Sequence, residues 1–152
     1  MKLVIQRVKD ASVTVDARTV GVVGPGMMVL VGIETGDTEA DCDRLIAKTT
    51  ALRIFDDENG VMNKSIIDAG GNILAISQFT LLADCRKGNR PSYIRAARPE
   101  QAVPLYDRYC AGLESALGRP VARGIFGADM KVSLINDGPV TILLESRDGA
   151  IL

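Results

Sequence analysis

The first quarter of the chain carries short apolar runs that are typical of β-strands. Residues 2–8 are largely apolar and β-branched, residues 12–15 alternate between polar and apolar, and another short run covers 19–23. Residues 27–33 are apolar almost throughout, as in a central strand that is covered on both faces. The pattern predicts a separate strand for each run, with a turn at 24–26 (Gly-Pro-Gly) before the last one.

Two later segments repeat apolar residues at helical spacing. In the first, Thr38 is suited to be the N-cap, and Asp41 follows three positions later as a variant of the capping box. The second runs from about 100 to 117 and is expected to end at Gly118, while Pro104 must lie in its first turn or bend it. The expected buried positions are Cys42, Leu45, Ile46 and Thr49 in the first helix, and Ala102, Leu105, Tyr106, Tyr109 and Leu113 in the second.

The rest of the chain is again rich in predicted strands. Turn residues occupy 57–60, 69–72 and 136–139. Strands and helices do not alternate regularly, so we predict a single α+β domain over 1–152, with a curled, mostly antiparallel or mixed sheet and two main helices. The apolar runs behind this prediction are 52–55, 73–82, 121–126, 130–135 and 140–145.

Composition excludes several kinds of chemistry. The 152 residues include no histidine, which excludes Ser-His-Asp and Cys-His catalytic groups and histidine-ligated metal sites. The cysteines, Cys42, Cys85 and Cys110, form no CxxC pair, so neither a zinc site nor a disulfide framework fits. No segment has the spacing of a Walker loop or a GxGxxG fingerprint. We therefore predict no metal and no cofactor.

Charge and hydropathy also limit the partners and the location. The formal net charge of −1 excludes a uniformly basic coat for nucleic acid but allows a local basic patch. The N-terminal residues lack a signal-peptide apolar region, and no apolar run approaches the ~20 residues of a membrane helix. Widely spaced reduced thiols are typical of cytoplasmic proteins, which is the location we expect.

Polar residues interrupt the apolar run at 73–82. In a continuous strand, alternation would place Ser77 and Phe79 on one face and Gln78 and Thr80 on the other. One interpretation is a strand that enters solvent, with its hydroxyls bonded to nearby backbone. The other is a reaction site. A Ser or Thr nucleophile has no histidine base here, but hydroxyls and backbone amides can bind a developing oxyanion while water attacks and a substrate group takes the proton.

Gly138 and Pro139 lie in the hinge between the last two predicted strands. An ordinary hairpin turn accounts for the composition of this hinge. Alternatively, glycine permits a strained backbone that presents bare carbonyl groups to a ligand. The residues alone leave both interpretations open.

A basic stretch occupies residues 86–98, which carry five basic residues and no acidic one. Tyr93 lies among them, and charge combined with an aromatic ring suits phosphate contact and base stacking. A solvated charged loop is the alternative. The basic residues are Arg86, Lys87, Arg90, Arg95 and Arg98.

Two of these segments match the signature motifs of a known family. The sequence resembles the D-aminoacyl-tRNA deacylases through Ser-Gln-Phe-Thr-Leu at 77–81 and Asn-Asp-Gly-Pro-Val-Thr at 136–141. Further matches are Ile-Gln-Arg-Val at 5–8, Lys-Gly-Asn at 87–89 and Phe-Gly-Ala at 126–128. Either signature motif alone would be weak, but both in order at this separation are highly specific. The resemblance covers essentially the whole chain.

The resemblance implies a homodimeric hydrolase with a small, barrel-like α/β fold and active sites at the dimer interface. Its substrate is the ester between a D-amino acid and the terminal adenosine of tRNA, and mischarged glycyl-tRNA is a second substrate. Gly138 and Pro139 correspond to a cis motif that reaches into the partner's site and excludes L side chains. Arg7 corresponds to an arginine that fixes this motif, and Phe126 and Met130 to residues that line the adenine pocket.

The resemblance allows either of two groups to carry out the reaction. One is a threonine, here Thr80, and the other is the 2′-hydroxyl of the tRNA, with the backbone near Phe79 positioning the ester. We favour the 2′-hydroxyl because an unassisted threonine is a poor nucleophile at neutral pH. A non-catalytic RNA-binding module that uses the basic stretch is a second hypothesis. A generic esterase is a third, which the missing histidine disfavours.

Overall fold

A computed structural model describes all residues from Met1 to Leu152. Three α-helices accompany the strands, and a short 3₁₀ helix covers Phe79–Leu82. The elements are β1 (Lys2–Val15), β2 (Arg18–Val23), β3 (Gly26–Gly32), α1 (Glu39–Ala51), β4 (Phe55–Asp56), β5 (Met62–Lys64), α2 (Ile66–Ala69), β6 (Asn72–Ser77), α3 (Pro99–Leu117), β7 (Ala122–Arg123), β8 (Lys131–Arg147) and β9 (Ala150–Ile151).

The main sheet is mixed and is organised around β1. Its strand order is β7-β6-β3-β1-β8-β9, and β2 also pairs with β1. The β3–β6 and β6–β7 pairs are parallel, while the other pairs are antiparallel. The sheet curls into a half-barrel with α1 and α3 as the main helices, which confirms the predicted α+β fold class. No helix combines the length and hydropathy of a membrane-spanning segment.

Each face of the sheet buries its own apolar cluster, because successive strand residues point to opposite faces. On the helix-covered face, Val29 of β3 packs with Leu45 of α1 and Tyr109 of α3. On the face enclosed by the curl, Met28 packs with Leu74 of β6. The β3 strand is buried on both faces, as its continuous apolar sequence predicts.

The prediction of two strands at 2–8 and 12–15 is wrong, because both belong to the 14-residue strand β1. Between them, Lys9 and Asp10 are exposed, yet Asp10 still pairs with Ile135 of β8 across two irregularities in the register. Long-range pairing with β8 keeps the strand continuous through polar residues.

The predicted strand at 73–82 ends early, at Ser77. The Gln78 amide makes one more bond to β3, 2.7 Å from its nitrogen to the Val31 carbonyl oxygen. The chain then turns into the 3₁₀ helix, where the Leu81 amide bonds back to the Gln78 carbonyl. The expected alternation of residues 77–80 between two faces is therefore wrong beyond Ser77.

The predicted hinge at 136–139 is not a hairpin turn. Residues 130–135 and 140–145, expected as two strands, belong to the single 17-residue strand β8. Two other predicted strands are shorter than expected. Of residues 121–126, only Ala122–Arg123 pair with a neighbouring strand. Of residues 52–55, only Phe55 does, in the two-residue strand Phe55–Asp56.

The caps of the main helices agree with the sequence. The Thr38 amide donates to the Asp41 carboxylate at the start of α1, and Gly118 adopts a left-handed conformation after α3. Pro104, however, lies inside α3, beyond its first turn. The short helix α2 was not expected. Ser65 caps it, and Gly70 ends it where the sequence suggested only a turn.

Candidate active site

A cleft of about 240 Å³ opens where β3 and β6 end. Parallel strands commonly place ligands outside their carboxyl ends. Five of the residues singled out from sequence line this cleft, two of them from the turn before β8. They are Ser77, Gln78, Phe79, Phe126 and Met130.

The early end of β6 determines which groups face the cleft. Phe79 and Thr80 begin the 3₁₀ helix, and the first amides of a helix have no partner within it. The Ser77 side chain makes no hydrogen bond to the rest of the chain, while Gln78 Nε2 donates to Thr80 Oγ1 at 2.5 Å. The interpretation that both hydroxyls bond nearby backbone is therefore not what the structure shows.

Thr80 is the one residue of the 77–80 motif that does not line the cleft. Its hydroxyl oxygen accepts a hydrogen bond from Gln78, so this oxygen is committed within the chain. The cleft walls are mainly apolar. The carboxylate among them, Asp129, is exposed and pairs with Lys131 at 2.8 Å. No buried side chain in the cleft is thus in place to act as a general base.

The second motif projects from the middle of β8. Gln6 pairs with Thr141 and Val8 pairs with Asn136, so residues 137–140 all stand opposite the single residue Arg7. Gly138 and Pro139 are exposed, and the peptide bond between them is cis. Gly138 has a φ of 140°, a conformation that L side chains rarely adopt. We call residues 137–140 the β8 excursion.

Arg7 supports the β8 excursion from β1. The side chain is nearly buried, and its Nε atom donates to the Asp137 carbonyl oxygen at 2.8 Å. Its Nη1 atom donates to the Ile54 carbonyl oxygen at 2.8 Å and to the Asp56 carboxylate at 3.1 Å. The guanidinium group therefore ties the excursion to the chain segment that follows α1.

Asn136 closes the base of the excursion, a role that the sequence analysis missed. Its Oδ1 atom accepts from the Val140 amide at 2.7 Å, across the residues that project. Its Nδ2 atom donates to Gln6 Oε1 at 2.8 Å. An asparagine at the start of a Gly-Pro turn is a usual signal for such a side-chain-to-backbone bond.

The cleft and the β8 excursion do not meet within one chain. Ser77 pairs with Val31 of β3, whereas Arg7 pairs with Met27, four residues earlier in the same strand. Four strand residues correspond to ~13 Å along the sheet, and three strand spacings, ~14 Å in all, separate β6 from β8. None of Arg7, Gly138 and Pro139 lines the cleft.

The basic stretch does approach the cleft. Its Tyr93 ring lies 5.1 Å from the Phe79 ring, centroid to centroid, in an edge-on arrangement. Two of its cations are paired: Arg86 with Asp84, and Arg95 with Glu34.

The cysteines and carboxylates form no other reactive site. No group of three or more cysteine, aspartate or glutamate side chains is arranged to hold a metal ion. Cys42 and Cys110 are buried, and burial raises the pKa of their thiols to about 12 and about 11. Both thiols are therefore protonated at neutral pH and are weak nucleophiles.

Comparison with known proteins identifies, along nearly the whole chain, the same family that the sequence motifs resemble. A family model described as D-Tyr-tRNA(Tyr) deacylase matches residues 4–145. The chain is 57% identical over 148 residues to the D-aminoacyl-tRNA deacylase of Bacteroides thetaiotaomicron, covering 97% of this chain and 99% of that protein. Identity to the Chromobacterium violaceum protein of the same name is 58%, with the same coverage.

Two solved structures share the fold. The c-Myc DNA Unwinding Element Binding Protein matches with a TM-score of 0.90 and 41% identity, over 97% of this chain and 99% of that one. A structure described as a probable eukaryotic D-amino acid tRNA deacylase matches with a TM-score of 0.80 over 93% and 97% of the two chains, but at 18% identity it supports the fold alone. Fold and motifs together define a deacylase-type half-barrel. The chain belongs to the D-Tyr-tRNA(Tyr) deacylase family.

Proposed function

We propose that this chain is a D-aminoacyl-tRNA deacylase that hydrolyses the ester between a D-amino acid or glycine and the terminal adenosine of tRNA. Free amino acid and tRNA are released, and the activity removes wrongly charged tRNA in the cytoplasm. The observation that carries the proposal is the cleft at residues 77–79, in a member of this family, with mainly apolar walls and the Ser77 hydroxyl among its lining groups.

The cleft suits the terminal adenosine of the substrate. Phe126 and Met130 supply apolar surface for the adenine ring, and Phe79 stands at the opening with 56% of its surface exposed. The amide of Phe79, at the start of the 3₁₀ helix, and the hydroxyl of Ser77 would then be the donors for the ester carbonyl oxygen, which becomes negatively charged as water attacks.

The proton transfer is assigned to the substrate's own 2′-hydroxyl, which would accept a proton from the attacking water and pass one to the leaving 3′-oxygen of the ribose. The cleft has no buried base, and the Thr80 hydroxyl oxygen is engaged by Gln78. The ribose hydroxyl adjacent to the ester is already held close to the reacting carbonyl, so proximity favours it. Ser77, Gln78 and Phe79 would position the ester, and Thr80 would order Gln78.

A second copy of the chain is proposed to complete the site. The β8 excursion lies far from its own cleft and exposes Gly138 and Pro139 to solvent. Two apolar residues of the same strand are also exposed, Ile135 at 53% and Leu143 at 74%. Together with the projecting polar backbone, these exposed apolar residues support a protein interface along β8. In a homodimer, the excursion of one subunit would enter the cleft of the other.

Main-chain atoms of the excursion would then distinguish D-aminoacyl from L-aminoacyl esters. Carbonyl groups around Gly138 and Pro139 would hold the substrate's amino group and leave no room for an L side chain. A D side chain would point away from this wall, and glycine has no side chain to exclude. Exclusion by backbone depends on configuration, so a broad range of D-amino acids is expected.

The direct test compares matched D- and L-tyrosyl-tRNA. The purified protein should hydrolyse the D ester and glycyl-tRNA rapidly and leave the L ester intact. Binding of tRNA without hydrolysis of either ester would instead support an RNA-binding module. Hydrolysis of both esters would support an esterase without a chiral filter.

A further inference from the structure

We propose that Lys87, Arg90, Phe79 and Tyr93 form a surface that binds the single-stranded 3′ end of the tRNA whose terminal nucleoside occupies the cleft. This inference rests on the proposed function and concerns how the same site holds the rest of its substrate. We call these four residues the 3′-strand surface.

The structure separates the cations of the basic stretch into paired and free groups. Arg86 is bonded to both carboxylate oxygens of Asp84, and Arg95 contacts Glu34 at 2.6 Å, so the charge of each is offset locally. Lys87, Arg90 and Arg98 are exposed and lie within 4 Å of no carboxylate. Free cations of this kind are available for phosphate groups.

Two of the free cations, Lys87 and Arg90, lie on an arm that leaves the rim of the cleft, whereas Arg98 lies at the start of α3. Asp84 and Ser92 exchange two backbone hydrogen bonds, of 2.8 and 2.9 Å, which close the base of the arm around residues 85–91. Tyr93 follows this base directly and places its ring against Phe79, which lines the cleft. The arm is therefore anchored beside the opening.

The aromatic pair is arranged for contact with bases rather than for a core. Phe79 is 56% exposed and Tyr93 is 38% exposed, although their rings touch edge-on. Exposed rings next to free cations are the combination with which proteins hold single-stranded nucleic acid, by stacking on bases and by phosphate contact. A tRNA with its terminal nucleoside in the cleft must lead its preceding nucleotides past this rim.

The experiment compares two substrates that share the same ester, D-tyrosyl-tRNA and 3′-O-D-tyrosyl-adenosine. In the variant Lys87→Gln/Arg90→Gln, kcat/KM for the tRNA ester should fall about tenfold, and its dependence on log salt concentration should flatten by ~1.4, the value for two single-strand phosphate contacts. Hydrolysis of the adenosine ester, which lacks those phosphates, should stay at the wild-type rate.

A matched control removes the same charge elsewhere. Arg44 and Lys48 are exposed on α1 and line no part of the cleft, and Arg44→Gln/Lys48→Gln should leave both substrates unaffected. An equal loss on both esters would overturn the proposal, because the arm would then shape the cleft itself. No loss on the tRNA ester, or a change in oligomeric state, would also overturn it. Wild-type protein that hydrolyses neither ester would instead refute the proposed function.

Discussion

Arg7 and Asp137 are 130 positions apart in the sequence, and the Arg7 Nε atom donates a 2.8 Å hydrogen bond to the Asp137 carbonyl oxygen. This bond joins a buried side chain of β1 to the projecting backbone of β8. Arginine suits the position because its planar group serves Asp137, Ile54 and Asp56 at once.

The variant Arg7→Lys should lose most of the deacylase activity while keeping its charge. A lysine has a single nitrogen and cannot span these three acceptors, so the β8 excursion would shift. Misplacement of a positioning group by 1 Å costs about 100-fold in rate, which is the loss expected in kcat/KM for D-tyrosyl-tRNA. Arg108→Lys, on the helix surface, is the control. Full activity in Arg7→Lys would contradict the role.

Asn136 should prove a second positioning residue. Asn136→Ala removes the acceptor of the Val140 amide and the donor to Gln6, whereas Asn136→Asp keeps only the acceptor. We expect a loss of about tenfold for Asn136→Ala and a smaller one for Asn136→Asp, with reduced discrimination between D and L esters. Steady-state kinetics on both esters measure this, with Asn59→Ala in an exposed turn as control. An unchanged D/L ratio at reduced stability would mean a purely structural role.

Gly138→Ala should disable the excursion, since its Cβ atom would lie 2.8 Å from Val140 Cγ2 at a φ that disfavours side chains. Ala128→Trp should disable the cleft by filling it. If a site is built from both subunits, mixing the two inactive variants restores one good site per heterodimer, about a quarter of all sites after random exchange. Mixtures without activity would rule out a shared site.

Thr80→Ala should retain substantial activity. The Thr80 hydroxyl lies outside the cleft and bonds only to Gln78, so its removal loosens Gln78 without removing a reacting group. We expect a decrease of no more than about tenfold in single-turnover hydrolysis, the scale of one lost orienting contact. A complete loss of hydrolysis in a protein that is still folded would show instead that the Thr80 hydroxyl takes part in the reaction.

Asp41 should make the fold acid-sensitive. Burial alone would raise the pKa of its carboxyl, but hydrogen bonds from the Gly149 and Thr38 amides and the Ser146 hydroxyl outweigh it and lower the pKa to about 2. Because this pKa is lower in the folded protein than in the unfolded chain, the ionised carboxylate stabilises the fold at pH values above 3.8, the pKa of the unfolded chain. This stabilisation is lost as the pH falls from 3.8 towards 2.

Urea unfolding at several pH values measures this contribution. Wild-type protein should exceed Asp41→Asn in stability at pH 7, and the difference should shrink below pH 4. Asp43→Asn is the comparison: the hydrogen bond from Arg108 also lowers the pKa of Asp43, but this pair is exposed and screened by solvent, so its pH-dependent difference should be smaller. A constant difference across the whole range would show that Asp41 acts by packing alone.

The sequence predicts those elements whose signal lies in neighbouring residues. The Thr38 cap and the apolar stripe located α1, and the polar interruption at 77–80 located the cleft. Continuity of β8 was not predictable, because it depends on pairing with β1, far away in the sequence. The same pairing turns 136–139 from an apparent hairpin into a projection, and it separates Gly138 from Ser77. Ion pairing with nearby carboxylates decides which basic residues are free, as for Arg95 with Glu34, 61 positions away in the sequence.

Cys85 has a practical consequence. It lies exposed on the arm at residues 85–91, while Cys42 and Cys110 are fully buried. A thiol-reactive fluorophore will therefore label the native protein at one position without mutagenesis. The dye would sit between Asp84 and Arg86, beside the free cations, where emission changes on adding RNA would report occupancy of the rim in real time.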